Sequence, residues 1–136
     1  MKTTKKTGVI LLAGILSILL CACASTKENK EAVYMNITAE EAKKIMDTES
    51  EYVVLDVRTE EEFAQGHIPG AMLIPDYAIR EEADKALPDK DALILVYCRS
   101  GRRSKNAAQI LLELGYTNIR EFGGILDWPY ETVTEG

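Results

Sequence analysis

Asp91-Ala92-Leu93-Ile94-Leu95-Val96-Tyr97, running on into Cys98-Arg99-Ser100-Gly101-Arg102-Arg103-Ser104, is the stretch that decides the fold. Its first half is apolar, rich in β-formers and without alternation, as a central parallel strand covered on both faces is. Its second half is a basic, glycine-containing turn. Beyond it, Ala107, Ala108, Leu111, Leu112 and Leu114 recur at helical spacing and Gly115 stands where a helix stops, which predicts a helix over 104–114. Cys98 is thereby placed at the carboxyl end of a strand and just ahead of a helix N-terminus, where open α/β sheets hold their ligands.

That position favours a reactive thiol. Unpaired backbone N–H groups and the positive end of the helix dipole point into the turn and stabilise an anion. A free cysteine titrates at about 8.5, and helix N-termini or arginines lower that value. Arg99, Arg102, Arg103 and Lys105 all follow within seven residues of Cys98. The plain alternative is a buried, inert cysteine at a strand end, and it ranks lower because this cluster is the dense basic patch of an acidic chain.

Working outward, strands and helices alternate. Val33–Ile37 is a short first strand. Thr38-Ala39-Glu40-Glu41 has the spacing of a capping box and opens a helix to about Met46. Tyr52–Val57 is a buried strand, Thr59–Phe63 repeats the capping pattern, and Gly66 ends that short helix. Ala71–Ile74 gives a third strand, Tyr77–Leu87 a helix, 92–97 the strand before Cys98, and Asn118–Phe122 a fifth strand. The pattern calls for an α/β fold, a five-stranded, mostly parallel sheet with helices on both faces joined by right-handed crossovers.

The chain has 136 residues, enough for one compact domain after a leader. Met1–Ala22 reads as that leader: Lys2, Lys5 and Lys6 precede an apolar run, Val9–Leu20, too short to span a bilayer comfortably. Its ending, Leu20-Cys21-Ala22-Cys23, resembles a bacterial lipoprotein signal and makes Cys23 the lipidated residue. Residues 23–32 then form a polar tether, 33–132 the domain and 133–136 a tail. The resemblance places the protein in the cell envelope, anchored by lipid to the extracytoplasmic face of a bacterial membrane. Losing three leader lysines moves the net charge from −6 to −9, which argues against a nucleic-acid partner. With Cys23 acylated, Cys98 has no cysteine with which to pair, and a lone thiol in a basic turn outside the cytoplasm is more readily explained by its reactivity.

Three ordered motifs carry a family resemblance across the whole domain. Asp56-Val57-Arg58-Thr59-Glu60-Glu61-Glu62-Phe63 with Gly66-His67-Ile68-Pro69-Gly70-Ala71 is similar to the N-terminal signature of the rhodanese-like domains. Tyr97–Ser104 resembles their active-site loop, and Gly123-Gly124 with Trp128 their closing segment. The resemblance implies a single-domain sulfurtransferase. Cys98 would take the outer sulfur of a small anionic donor such as thiosulfate, hold it as a persulfide, and pass it to cyanide or a thiol. A low-pKa thiolate suits the first step, and a covalent intermediate divides one difficult transfer into two. The loop amides from Arg99 through Ser100, Gly101 and Arg102 to Arg103 would form a nest for the sulfur and the departing sulfite. Arg99 and Arg102 offer charge to a dianion, and Arg103 is expected on the loop floor, bonding backbone carbonyls or the leaving oxyanion. The same reading implies a monomer and no cofactor.

Asp56 and Arg58 end a strand that should lie beside the Cys98 strand, where they line the pocket or orient the loop, the plain alternative being a strand-capping ion pair. His67, the single histidine, sits in a turn and has a structural role in the family, so a Cys/His protease pair is set aside. Nor is there another histidine or free thiol to complete a transition-metal site. Trp128 and Phe122 read as lid and core. A related phosphatase or arsenate reductase would need one residue more than the four between Cys98 and Arg103. Some rhodanese-like domains serve only for docking or sensing, and those usually lose the cysteine. A persulfide carrier serving a membrane-bound or exported partner would use the same chemistry.

Overall fold

The computed structural model describes residues 30–135. The leader at 1–22, Cys23 and the greater part of the 23–32 segment lie outside the described residues.

The five strands are β1 (Val33–Asn36), β2 (Val53–Asp56), β3 (Met72–Leu73), β4 (Ile94–Cys98) and β5 (Asn118–Gly124). They pair side by side in the order β1-β5-β4-β2-β3, and every pairing is parallel. The helices are α1 (Ala39–Thr48), α2 (Glu60–Gln65), α3 (Ile79–Ala86) and α4 (Arg102–Glu113). All five residues of β4 are buried, which is why its sequence shows no alternation. One side chain set, Ile94, Val96 and Cys98, packs with Ala83 of α3 and Ala107, Ala108 and Leu111 of α4. The other, Leu95 and Tyr97, packs with Ala42 of α1, Ile68, Phe122 and Trp128. Trp128 is therefore a core residue.

Both capping boxes form. The Thr38 hydroxyl accepts from the Glu41 amide while the Glu41 carboxylate accepts from the Thr38 amide, and Thr59 and Glu62 do the same for α2. Each box satisfies two amide donors that a helix start leaves without partners. The differences from the expected boundaries have local causes. Gly101, at φ 106°, supplies a left-handed turn, so the chain swings from strand to helix by Arg102 rather than Ser104. A 3₁₀ turn at Asp76–Ala78 precedes α3, and β5 runs on to Gly124, past the expected end at Phe122.

β3 lies outside β2 and β5 lies on the opposite side of β4, so the winding reverses between β2 and β4. A crevice opens there, at the carboxyl ends of the strands, and both Asp56 and Cys98 end at it. The C-terminal segment returns to this edge, where His67 and Val133 form an antiparallel bridge.

Candidate active site

Cys98 is the last residue of β4 and is 1% exposed. Its pairing partner is Gly124, reached after a register shift in the β4–β5 ladder that begins at Val96. The shift lets the 99–101 loop close over the sulfur. The Gly101 amide donates to Cys98 Sγ at 3.0 Å, and Ser104 Oγ lies 3.4 Å from it. Burial pushes the thiol up, but hydrogen bonding with the Ser104 hydroxyl and from the Ser104, Gly101 and Ser100 amides outweighs it and holds Cys98 below the ordinary value. The loop is fastened from outside by the Leu126 amide, which donates to the Arg99 carbonyl at 3.2 Å.

The candidate residues separate into two groups. Arg99, Ser100 and Arg102 are exposed around the loop, and neither Arg99 nor Arg102 enters a salt bridge among the described residues. Arg103 departs from the expectation for it. Instead of bonding loop carbonyls, its guanidinium turns to α2 and forms a two-pronged pair with Glu62, both contacts at 2.8 Å. The planar fork finds two oxygens there, which no backbone carbonyl offers.

Asp56 and Arg58 form an ion pair, with contacts from 2.6 to 3.0 Å and side chains 0% and 5% exposed. Arg58 also donates to the Gly66 carbonyl at 2.7 Å. The same arginine borders an open cleft of about 540 Å³ beside the loop, together with Glu62, Arg99, Ile125 and Thr132. The cleft is thus bounded by one loop arginine, one buried ion pair and one side of the Glu62–Arg103 pair. His67 lies elsewhere: its ring stacks on Phe63 at 3.7 Å and its Nδ1 is 2.9 Å from the Phe63 carbonyl.

Glu62 joins the loop to α2 and carries a measurable pH signature. Hydrogen bonding to Arg103 holds its carboxyl at about 2, far below the usual 4.5. A depressed folded-state value means the pair's contribution is complete above about pH 4.5 and fades as the pH falls towards 2. Glu62 is one-quarter exposed, so solvent screening leaves about 1 kcal/mol of the Coulombic gain. Glu62→Gln, which retains an acceptor for the helix cap, is expected to lose that amount at pH 7. Most of the difference should be gone by pH 2, as urea titrations of both proteins at the two pH values will read.

Two residues emerge that the sequence reading passed over, Ser104 and Glu121. Both are buried, and Ser104 Oγ lies 2.5 Å from Glu121 Oε1. The available signal was a glutamate at a position of β5 with the same parity as the buried Ile119.

Residues 38–130 match the family described as Rhodanese-like domain. The chain is 42% identical over 73 residues to the thiosulfate sulfurtransferase PspE of Escherichia coli, covering 54% of this chain and 70% of that protein. It is 36% identical over 88 residues to a sulfurtransferase of Allochromatium vinosum, covering 64% and 79% respectively. Among solved structures, the rhodanese with anions from E. coli superposes with a TM-score of 0.58 at 38% identity, over 62% of this chain and 99% of that one.

Proposed function

This chain belongs to the rhodanese-like domain family, and we propose that it is a sulfurtransferase that carries a sulfane sulfur as a persulfide on Cys98. The observation that carries the reading is the Cys98 sulfur itself, at a helix N-terminus and accepting the Gly101 amide at 3.0 Å. Loop amides stabilise a thiolate there.

In the first half-reaction the thiolate attacks the outer sulfur of thiosulfate. A new S–S bond forms to Cys98, the S–S bond of the donor breaks, and sulfite leaves with the bonding pair. In the second, cyanide or a thiolate attacks the outer sulfur of the persulfide, and Cys98 leaves as thiolate. Near-complete burial of Cys98 favours a donor whose reacting atom is small and terminal. Exposed Arg99 and Arg102 draw in the dianion and compensate the charge of the departing sulfite. Arg58 and Arg103 act differently: each is already paired with a carboxylate, so they shape the cleft rather than bind the donor.

The lipid attachment at Cys23 would hold this chemistry at the outer face of a membrane, and the motif around Cys23 is what supports it. Fractionation of cells making the Cys23→Ser chain checks it, since a protein that remains with the membrane counts against the anchor. The sulfurtransferase reading is tested by intact mass of the protein after incubation with thiosulfate. A gain of one sulfur atom that thiols remove is expected. No adduct, on a thiol that alkylates readily, would overturn the reading in favour of a binding module.

A further inference from the structure

Glu121 is left without a task in that reaction, yet it is the one carboxylate buried on the Cys98 face of the sheet among the described residues. It stands opposite Val96 in the β4–β5 ladder and is 2% exposed. A charge taken out of water needs strong partners. Its Oε1 accepts the Gly123 amide at 2.9 Å and lies 2.5 Å from Ser104 Oγ. Ser104 is 0% exposed, and its Oγ is also 3.0 Å from the Gly101 carbonyl, 3.2 Å from the Gly123 carbonyl and 3.4 Å from Cys98 Sγ.

Ser104 has one proton to give, whereas an ionised carboxylate and the two carbonyls can only accept. While Glu121 is charged, the hydroxyl proton goes to it at the shortest contact. The oxygen lone pairs then face Cys98 and favour a thiol that donates to Ser104. A thiolate, already served by the Gly101 amide, gains a second donor in the reverse order, with Glu121 protonated and donating to Ser104, and Ser104 donating to sulfur. Both arrangements hold the same number of protons and the same total charge. We propose that Cys98, Ser104 and Glu121 form a proton relay, in which Glu121 receives the thiol proton through the Ser104 hydroxyl.

The step balances. The S–H bond breaks and its proton joins Ser104 Oγ, while the original Ser104 proton passes to Glu121 Oε1. Sulfur keeps the electron pair with which it attacks the donor, and nothing is oxidised or reduced. Because Cys98 leaves the second half-reaction as a thiolate, Glu121 holds its proton through the whole cycle. Glu121 is a positioning residue, acting on sulfur only through Ser104. The other titratable or charged groups in play are Tyr34 on β1, whose phenol feels the Glu121 charge, and Arg103 on α4, whose guanidinium feels that of Cys98 and is tied to Glu62 of α2. The inference rests on Cys98 being the sulfur-accepting nucleophile, but its test reads the resting protein without donor.

The infrared spectrum of the full chain at neutral pH, where surface carboxylates are ionised, should show the carbonyl band of a protonated, buried carboxyl. Glu121→Gln should remove that band, and Cys98→Ser should remove it too, because no thiol proton remains to be received. A wild-type spectrum without the band overturns the relay whether or not either variant folds, as does a band that survives Cys98→Ser. Thiolate absorbance, taken as the difference from Cys98→Ser, should rise in two steps separated by more than about one pH unit in the wild type and in a single step in Glu121→Gln. One shared single step in both proteins also overturns it. A persulfide adduct that fails to form while the band behaves as stated would instead count against the sulfur-transfer reading alone.

Discussion

Cys98→Ser is expected to lower thiocyanate formation from thiosulfate and cyanide by at least about a thousandfold, as loss of a covalent nucleophile does. The replacement is close in shape, so the effect isolates chemistry from architecture. Serine oxygen sits where sulfur sat, at the end of β4 and under the Gly101 amide. What changes is the reacting atom. A serine hydroxyl stays protonated at neutral pH, because the hydrogen bonds that lower a thiol's pKa start here from a far weaker acid. Thermal unfolding should move by no more than the small cavity left by the smaller atom. A variant that retains a tenth of the wild-type rate would place the nucleophile elsewhere.

Gly124→Ala is expected to cost about 3 kcal/mol of stability, at the upper end for added bulk in a packed interior. A Cβ at this position would lie 1.9 Å from the Arg99 carbonyl oxygen, 2.3 Å from its carbon and 2.5 Å from the Ser100 nitrogen. All three atoms are backbone, so no side-chain rotation relieves the contact. Either β5 moves away from β4 or the loop lifts from Cys98, and the second course also pulls the Gly101 amide off the sulfur. Sulfur transfer should therefore fall with stability. The strain is one of contact rather than of dihedral, since Gly124 has an ordinary extended backbone. Gly115 gives the opposite case, with φ at 90° and nothing within 4 Å of an added Cβ. Gly115→Ala should cost only about 1 kcal/mol, and urea midpoints of the two variants will separate the effects. Equal midpoints would mean that the loop does not rest on Gly124 as described.

Where the alternation of elements and the position of Cys98 could be read from the chain, the reason was local. A short apolar run rich in β-formers and bounded by turn residues fits a strand covered on both sides, and threonine three residues ahead of glutamate marks a helix start through contacts within four residues. Arg103 was legible as a loop residue but not in its partner, because Glu62 lies 41 residues away and meets it only once α2 packs beside the loop. Asp56 and Arg58 were left between pocket or loop roles and an ion pair, because sequence does not say which way two strand-end side chains turn; the buried pair forms, and Arg58 alone of the two borders the cleft. Ser104 and Glu121 were missed because their meaning comes from the β4–β5 register, which places Glu121 beside Val96 and under α4. The two-residue length of β3 had no sequence signature either, as the segment is apolar on both sides of its short pairing.

The parallel pairing of β1 with β5 also sets an order of events for a chain made from its N-terminus. Val33 lies beside Asn118 and Asn36 beside Glu121, so the first strand to be synthesised takes its place against the last. Among the described strands, β1 has no neighbour other than β5. Until β5 exists, β1 has no edge to join, and its Val33 and Met35, exposed even in the finished sheet, wait in water. Closing so long a loop slows the search. The order of synthesis therefore makes the docking of β1 a late step, and any delay in the final 20 residues or so prolongs the interval in which β1 is open to other chains.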